Sequence, residues 1–278
     1  MSVRLSQPNI GGKAAAQFSV VLLLAALLKL HYATASVNDL RWILLPTKTF
    51  VELITGISFA FEPHAGYMSA DRSFLIAGSC AGVNFLVAAF LMLSLGKLWK
   101  RRGDGLPWFS ILASALLAFA VTIVANTLRI SSALWLNSAP HSFAGMTRDE
   151  IHRLDGILIY FGILLLVFVI SERRDSSRRP HRYMFPLAIY YAVTLAIPIA
   201  NGAFRQGDFW QHALFVLATP ILLIAVVAVA IKLLFRDPQR KDVSAASFDL
   251  PRNLRVDEVG TRPDVRDAAA VSGAVGLE

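Results

Sequence analysis

Residues 74 to 98 have the sequence FLIAGSCAGVNFLVAAFLMLSLGKL, with no charged side chain before Lys97. About 20 apolar residues in a helix cross the hydrocarbon core of a bilayer, so this stretch predicts a membrane span. A basic cluster, Lys97 to Arg102, coincides with its end. Because positively charged loops stay in the cytoplasm, we expect the span to start outside the membrane and to end inside.

The composition of the whole chain is typical of a membrane protein. Of the 278 residues, 55% are hydrophobic and 17% are charged, and the mean hydropathy is +0.55. Soluble domains carry about 25% charged residues. The net charge of +8 is concentrated at the ends of apolar stretches, which indicates topology and argues against a nucleic-acid surface. The single cysteine excludes an internal disulfide and any multi-cysteine metal site.

Further apolar stretches predict an all-α fold, a polytopic membrane helical bundle of about six transmembrane helices. The predicted spans are residues 14 to 33, 74 to 98, 108 to 128, 152 to 170, 184 to 200 and 213 to 235. A second basic loop, Arg173 to Arg182, follows the fourth span. With both basic loops inside, both termini are expected in the cytoplasm.

The segment from Trp42 to Phe61 is apolar but is rejected as a seventh span. A proline and two charged residues interrupt it, and a crossing here would place Lys97 to Arg102 outside. We expect a helix on the outer interface that ends at Gly56, followed by a turn and a short extended piece. Its predicted apolar face consists of Leu40, Ile43, Leu44, Phe50, Val51 and Ile54.

The chain is expected to divide near residue 236. Residues 1–236 form the predicted membrane domain, and its candidate catalytic residues fall within residues 78–156. Residues 237–278 have prolines, mixed charges and small residues without apolar periodicity, which predicts a disordered cytoplasmic tail. The tail and the last two spans receive no chemical role.

Three chemically distinctive residues fall at one end of three predicted spans. Cys80 lies six residues into a span that starts outside, so about 9 Å below the outer boundary. Arg129 follows Trp108 by 21 residues, about 30 Å of helical rise, and is expected at the outer boundary. His152 opens the next span at the same boundary. Topology thus predicts a thiol, a permanent cation and an imidazole at one membrane depth.

Together these groups can perform nucleophilic catalysis. A thiolate attacks carbonyl carbons, and a histidine can take the thiol proton and pass it to a leaving amine. Arg129 can stabilise the oxyanion, and Asp155, three residues after His152 on the same helical face, can orient the ring. Each residue also has an ordinary alternative: Cys80 as a small apolar residue, Arg129 reaching to the interface, and His152 as a simple boundary residue. Gly78 and Gly82, four residues apart, form a pair of small residues typical of helix packing, and their small size would also give a substrate backbone access to Cys80.

The same residues resemble the three sequence blocks of the exosortase/archaeosortase family. The blocks are Gly78-Ser79-Cys80-Ala81-Gly82-Val83-Asn84, Asn126-Thr127-Leu128-Arg129-Ile130 and His152-Arg153-Leu154-Asp155-Gly156, in the order and spacing of the family. The resemblance covers about residues 40 to 170 and is greatest to the exosortase K subgroup. The usual Cys-Ser-Gly is Cys80-Ala81-Gly82 here, so the serine hydroxyl is absent.

This resemblance implies a cysteine-type peptidase or transpeptidase, a hydrolase, in the cytoplasmic (inner) membrane of a prokaryote. Cys80 would be the nucleophile, Arg129 the transition-state stabiliser and His152 the proton-transfer residue, with Asn126 and Asp155 in support. The implied partners are membrane-anchored exported proteins with a C-terminal sorting signal of short motif, transmembrane helix and basic cluster. Such a protein would be cleaved at the outer face and transferred to water or an amine. No cofactor, metal or nucleic acid is implied.

Two other classes of function stay open. In a small anion or proton-coupled transporter, Arg129 would bind an anion, His152 would titrate and Cys80 would be dispensable. Transporter sites usually lie near the bilayer midplane, where the predicted topology places no ionisable residue. In a non-catalytic membrane assembly factor, the interfacial helix and Trp42 would form a docking surface, and the loss of any one of the three residues would be tolerated.

Overall fold

The computed structural model describes residues 11–101, 103–138, 147–172, 184–205, 207 and 209–234. In this part of the chain, five helices are long and apolar enough to cross a membrane: Gly12–Thr34, Gly78–Lys100, Trp108–Leu136, Glu150–Glu172 and Phe209–Val229. A sixth apolar helix, Met184–Ala200, is shorter. The fold is an all-α polytopic helical bundle with one small sheet, as the sequence predicts.

The elements follow one another in a simple order. They are α1 (Gly12–Thr34), α2 (Arg41–Thr55), β1 (Phe59–Glu62), β2 (Gly66–Ser69), β3 (Leu75–Ile76), a 3₁₀ turn (Gly78–Ala81), α3 (Val83–Lys100), α4 (Trp108–Ser138), α5 (Arg148–Glu172), α6 (Met184–Tyr191), a π-helical turn (Ala192–Ala196), α7 (Ile197–Ala200), a second 3₁₀ turn (Ala203–Arg205) and α8 (Phe209–Leu234).

Helix α3 forms the centre of the bundle. It packs against α1, α4, α5 and α6, and 72% of its span is buried, compared with 22–33% for the other four long spans. A helix that is apolar on all sides is found either in lipid or buried among other helices, and α3 is buried among other helices. The outer helices leave large apolar side chains exposed, as expected for surfaces that face lipid: Leu22, Leu23, Leu27, Leu116, Val124, Leu214 and Leu222.

Helix α2 ends as the sequence predicts. Gly56 adopts a left-handed conformation with φ of 71°, and its N–H donates to the Glu52 carbonyl at 2.9 Å. The helix packs on α4, where the rings of Trp42 and Phe119 stack with centroids 5.7 Å apart. Its predicted apolar face is only partly buried, because Phe50 and Ile54 are exposed. The location of α2 at the membrane interface stays a prediction.

The segment after α2 forms a three-stranded antiparallel sheet in the order β1-β2-β3. Phe59 pairs with Ser69 in the first ladder, and Tyr67 pairs with Ile76 in the second. The predicted start of the second span at residue 74 is therefore wrong. Leu75 and Ile76 are apolar, but they belong to the sheet, and the α-helix begins only at Val83.

The chain divides into two units, Met1–Ile231 and Lys232–Glu278. The first unit contains every element named above apart from the C-terminal end of α8. The predicted tail, residues 237–278, lies outside the described residues, as does the basic loop 173–182.

Candidate functional site

Cys80 lies in the 3₁₀ turn immediately before α3. Its N–H donates to the Ala77 carbonyl at 2.9 Å, and its side chain is half-buried. The prediction that Cys80 lies six residues inside a helix is wrong, because β3 and this turn occupy the residues before Val83. The thiol is consequently at the end of the central helix, and the predicted depth of 9 Å does not apply.

Gly82 joins the turn to α3 and gives a neighbouring side chain room. Its φ is +65°, and a Cβ there would lie only 2.7 Å from Cγ of Asn126. Gly78 lies in the 3₁₀ turn and Gly82 directly precedes α3, so the two glycines are not a pair on one face of an α-helix. Gly82 is needed for a left-handed backbone and for close approach of α4.

Asn126, on α4, links the Cys80 turn to α5. Its side chain is fully buried, and its Nδ2 donates to the Ala81 carbonyl at 2.8 Å. Its Oδ1 accepts a hydrogen bond from the Tyr160 hydroxyl at 2.6 Å. Asn126 therefore fixes the backbone beside the thiol.

Arg129 lies one turn further along α4. Its Nη1 donates to the Tyr160 hydroxyl at 3.2 Å, and its guanidinium interacts electrostatically with the Cys80 thiol and the Asp155 carboxylate. A Cβ at Gly156 would lie 3.0 Å from Nε of Arg129, so this glycine makes room for the guanidinium. The buried Nε has no hydrogen-bond partner among the described residues. Arg129 does not end its helix as predicted, because α4 continues to Ser138.

Asp155 and His152 both lie in the first part of α5. The Asp155 carboxylate accepts a hydrogen bond from the Ser132 hydroxyl at 2.5 Å and interacts electrostatically with Arg129. His152 lies about one turn earlier on α5, and its side chain is exposed. Contact of His152 with Cys80, and orientation of its ring by Asp155, stay predictions.

Sequence reasoning missed three residues of this region. Tyr160 contacts both Asn126 and Arg129, and the Tyr32 hydroxyl interacts electrostatically with Cys80 and Arg129. Lys29 donates a hydrogen bond to Oδ1 of Asn84. Helical spacing contains the signal: Tyr160 is four residues after Gly156, and Lys29 and Tyr32 are three apart near the end of α1.

Four helices thus bring polar groups to the end of the bundle where α1 ends and α3 begins. We call this set the thiol cluster: Lys29, Tyr32, Cys80, Asn84, Asn126, Arg129, Asp155 and Tyr160. Hydrogen bonds within the cluster link Arg129 to Tyr160, Tyr160 to Asn126, and Asn126 to the Ala81 carbonyl that follows the thiol. Within the described ranges, no group of three or more His, Cys, Asp or Glu residues could hold a metal ion.

Asp71 accepts hydrogen bonds in the turn between β2 and β3, in the sheet that precedes the Cys80 turn. Its carboxylate accepts hydrogen bonds from the hydroxyls of Ser69 at 2.6 Å and Ser73 at 2.8 Å, and from the Ser73 N–H at 3.1 Å. These bonds, first that of Ser69, lower the pKa of Asp71 to about 2. The turn between β2 and β3 is therefore held by an ionised carboxylate.

Comparisons with protein-family models, curated proteins and solved structures found no match. The fold and the site define the chain as a polytopic helical membrane protein with a half-buried thiol in a polar cluster.

Proposed function

We propose that this protein is a membrane-embedded cysteine peptidase or transpeptidase. It cleaves a C-terminal sorting signal of membrane-anchored exported proteins at the outer face of a prokaryotic cytoplasmic membrane. One observation carries the proposal: Arg129, whose buried Nε has no partner among the described residues, is linked through Tyr160 and Asn126 to the carbonyl next to the only thiol of the chain. A guanidinium donor without a partner near the nucleophile can stabilise a developing oxyanion.

The reaction follows from these groups. His152 takes the proton of Cys80, and the thiolate attacks the carbonyl carbon of the scissile peptide, forming a C–S bond and an oxyanion. The oxyanion then collapses, the C–N bond breaks, and His152 gives the proton to the leaving amine. Water or an amine attacks the resulting thioester, the C–S bond breaks, and the thiol is regenerated.

Arg129 stabilises the charge that appears during attack. Its guanidinium is planar and permanently charged, and its Nη1 is already held by Tyr160. Asn126 holds the backbone of the nucleophile through the Ala81 carbonyl. The substrate helix diffuses laterally in the bilayer until its scissile peptide reaches the thiol cluster.

An anion transporter is the second candidate. Two observations favour it: Lys29 and Arg129 both lie within candidate membrane spans, and α4 continues beyond Arg129 to Ser138. The two candidates differ at Cys80, because a transporter does not need this thiol and a cysteine peptidase does. An assembly factor likewise does not need the thiol.

The test is the chemistry of the new C-terminus. In membranes with the wild-type protein, C-termini of membrane-anchored proteins are mapped by mass spectrometry with and without hydroxylamine. A thioester intermediate is diverted by hydroxylamine, so the processed C-termini should carry a hydroxamate. Membranes with the Cys80→Ser variant should contain neither the processed C-termini nor the hydroxamate. Processed C-termini that depend on the protein but never carry a hydroxamate would contradict the thioester.

The orientation has its own test. Reporter fusions after Arg102 should be active only in the cytoplasm, and fusions after Arg148 only outside. The opposite pattern at either point would remove the thiol cluster from the outer face and would contradict the proposed substrate.

A further inference from the structure

A chain of three hydrogen bonds runs from Arg129 to the turn that carries Cys80. Arg129 donates to the Tyr160 hydroxyl at 3.2 Å, Tyr160 donates to Asn126 at 2.6 Å, and Asn126 donates to the carbonyl of Ala81 at 2.8 Å. Ala81 directly follows the nucleophile. A tyrosine hydroxyl therefore lies between the cation and the backbone of the thiol.

The direction of this chain is fixed by the protons that each group owns. A guanidinium can only donate, and a backbone carbonyl can only accept. The single proton of Tyr160 points to Oδ1 of Asn126, so a lone pair of the same oxygen is available to Arg129. Hydrogen bonds aligned in one direction polarise one another, and the guanidinium is held in one orientation.

The ring of Tyr160 is itself held by packing. It stacks on Phe85 of α3, with centroids 5.0 Å apart and an interplanar angle of 23°. The Arg129 guanidinium carbon lies 5.3 Å from the ring centroid. The ring and the hydroxyl therefore both contribute to where Arg129 lies, and only the hydroxyl connects to Asn126.

We propose that Tyr160 is a positioning residue: its hydroxyl holds the Arg129 guanidinium in place beside Cys80 and leaves the buried Nε for an anionic oxygen of the bound substrate. The inference rests on the proposed function, which supplies that oxygen as the oxyanion of the thiol adduct. Nε is the donor that has no partner among the described residues, and Nη1 is the donor that Tyr160 occupies.

Tyr160→Phe is the test variant, because it removes the hydroxyl and keeps the ring against Phe85. Tyr191→Phe is the matched control: its hydroxyl donates to the Leu217 carbonyl at 2.7 Å and does not belong to the thiol cluster. Cys80 is the only cysteine, so iodoacetamide reports on this thiol alone in the full-length protein. The readouts are kcat and KM of processing and the pH profile of Cys80 alkylation. Both readouts are measured for the wild type, Tyr160→Phe and Tyr191→Phe, and again for each of these proteins with Arg129→Ala added.

Tyr160→Phe should lower kcat about 10-fold to 100-fold with KM within about twofold, and should slow alkylation at pH 7 about threefold to tenfold. Arg129→Ala should slow alkylation in the same direction, and Tyr160→Phe should add nothing in that background. Tyr191→Phe should match the wild type. If Tyr160→Phe accumulates poorly, 3-fluorotyrosine at position 160 keeps the hydroxyl but weakens it as an acceptor, and it should slow alkylation too.

An unchanged alkylation profile in Tyr160→Phe would overturn the positioning role. A loss that multiplies with that of Arg129→Ala would overturn it as well. A wild-type protein that processes nothing, but whose alkylation profiles still show the non-additive pattern, would contradict the proposed function and support the positioning of Arg129 by Tyr160.

Discussion

The two ends of the bundle differ in which of their buried polar side chains are hydrogen-bonded. At the end where α3 finishes and α4 begins, the amide of Gln17 is fully buried and pairs with both backbone polar groups of one residue. Its Nε2 donates to the Leu106 carbonyl at 2.6 Å, and its Oε1 accepts from the Leu106 N–H at 2.8 Å. Lys97, at the same end, donates to the Ser114 hydroxyl at 2.9 Å. These polar groups have the contacts of structural side chains.

The thiol cluster at the opposite end leaves hydrogen-bonding capacity unused. Five buried side-chain polar atoms lack a partner within the described residues, and three of them belong to Thr127, Arg129 and Ser131 on α4. A buried donor without a partner costs about 1–3 kcal/mol, so proteins retain few of them without a reason. Under the proposed function, a substrate oxyanion would supply that reason at Arg129. Ser94, three residues before Lys97 on α3, also has an unpartnered hydroxyl, so the two ends differ in the kind of group left unpaired: a neutral hydroxyl at one end and a guanidinium donor at the other.

Among the variants that compare the two ends, replacement of Arg129 by lysine should have the largest effect. A flexible point charge does not reproduce a planar set of donors, and the loss of one oxyanion donor costs about 100-fold to 1,000-fold in rate. Lys97→Arg, which keeps a cation at the other end, is the control and should process at close to the wild-type rate. Substrate processing normalised to protein abundance measures both variants. Equal losses in the two would remove the distinction between the ends.

Gly82→Ala should lower the thermal unfolding midpoint more than Gly56→Ala does. Both glycines have positive φ, which costs a residue with a Cβ about 1–2 kcal/mol. Only at Gly82 would the Cβ also overlap a neighbour, the Asn126 side chain, because nothing lies within 4 Å of a Cβ at Gly56. Thermal unfolding in detergent measures the difference. Equal midpoints would show that Asn126 adapts freely and does not fix the Cys80 turn.

The start of α3 shows why part of the fold followed from the sequence and part did not. Apolar length and basic loops predicted the spans, and Gly56 marked the end of α2. Leu75 and Ile76 are equally compatible with a helix or a strand, and only their pairing with β2 decides between the two. Tyr160 lies eight residues after His152, about 12 Å of helical rise, so the predicted topology did not bring it level with Arg129. Their contact depends on the continuation of α4 to Ser138 and on how α4 and α5 are rotated, which composition does not determine.

Gln17→Leu should destabilise the fold and leave the chemistry intact. It removes the hydrogen-bond partners of the Leu106 N–H and carbonyl. Each buried polar group left unpaired costs about 1–3 kcal/mol of stability. Thermal unfolding should therefore occur at lower temperature, while processing per folded molecule stays at the wild-type level. A specific loss of kcat in this variant would mean that the two ends are coupled.

Asp71→Asn should have the smallest effect, and one that depends on pH. The pKa of Asp71 is about 2 in the folded protein, below its usual 3.8, so the stabilisation is present above about pH 4 and is lost as the pH falls through about 2. The gap in unfolding midpoint between wild type and variant should shrink across that window. Ser73→Ala, which removes one donor to the carboxylate, should show the same trend. A gap that does not change with pH would exclude the ionised carboxylate as its cause.

The most direct test of the central claim is the processing rate of the Cys80→Ser variant. The replacement is nearly isosteric at a half-buried position, so protein abundance should stay within about twofold of wild type. A serine hydroxyl is a poor nucleophile beside groups suited to a thiol, so processing should fall to background. Ser79→Ala, at the exposed neighbouring position, is the control and should process normally. Processing by Cys80→Ser at the wild-type rate would contradict covalent catalysis through this thiol.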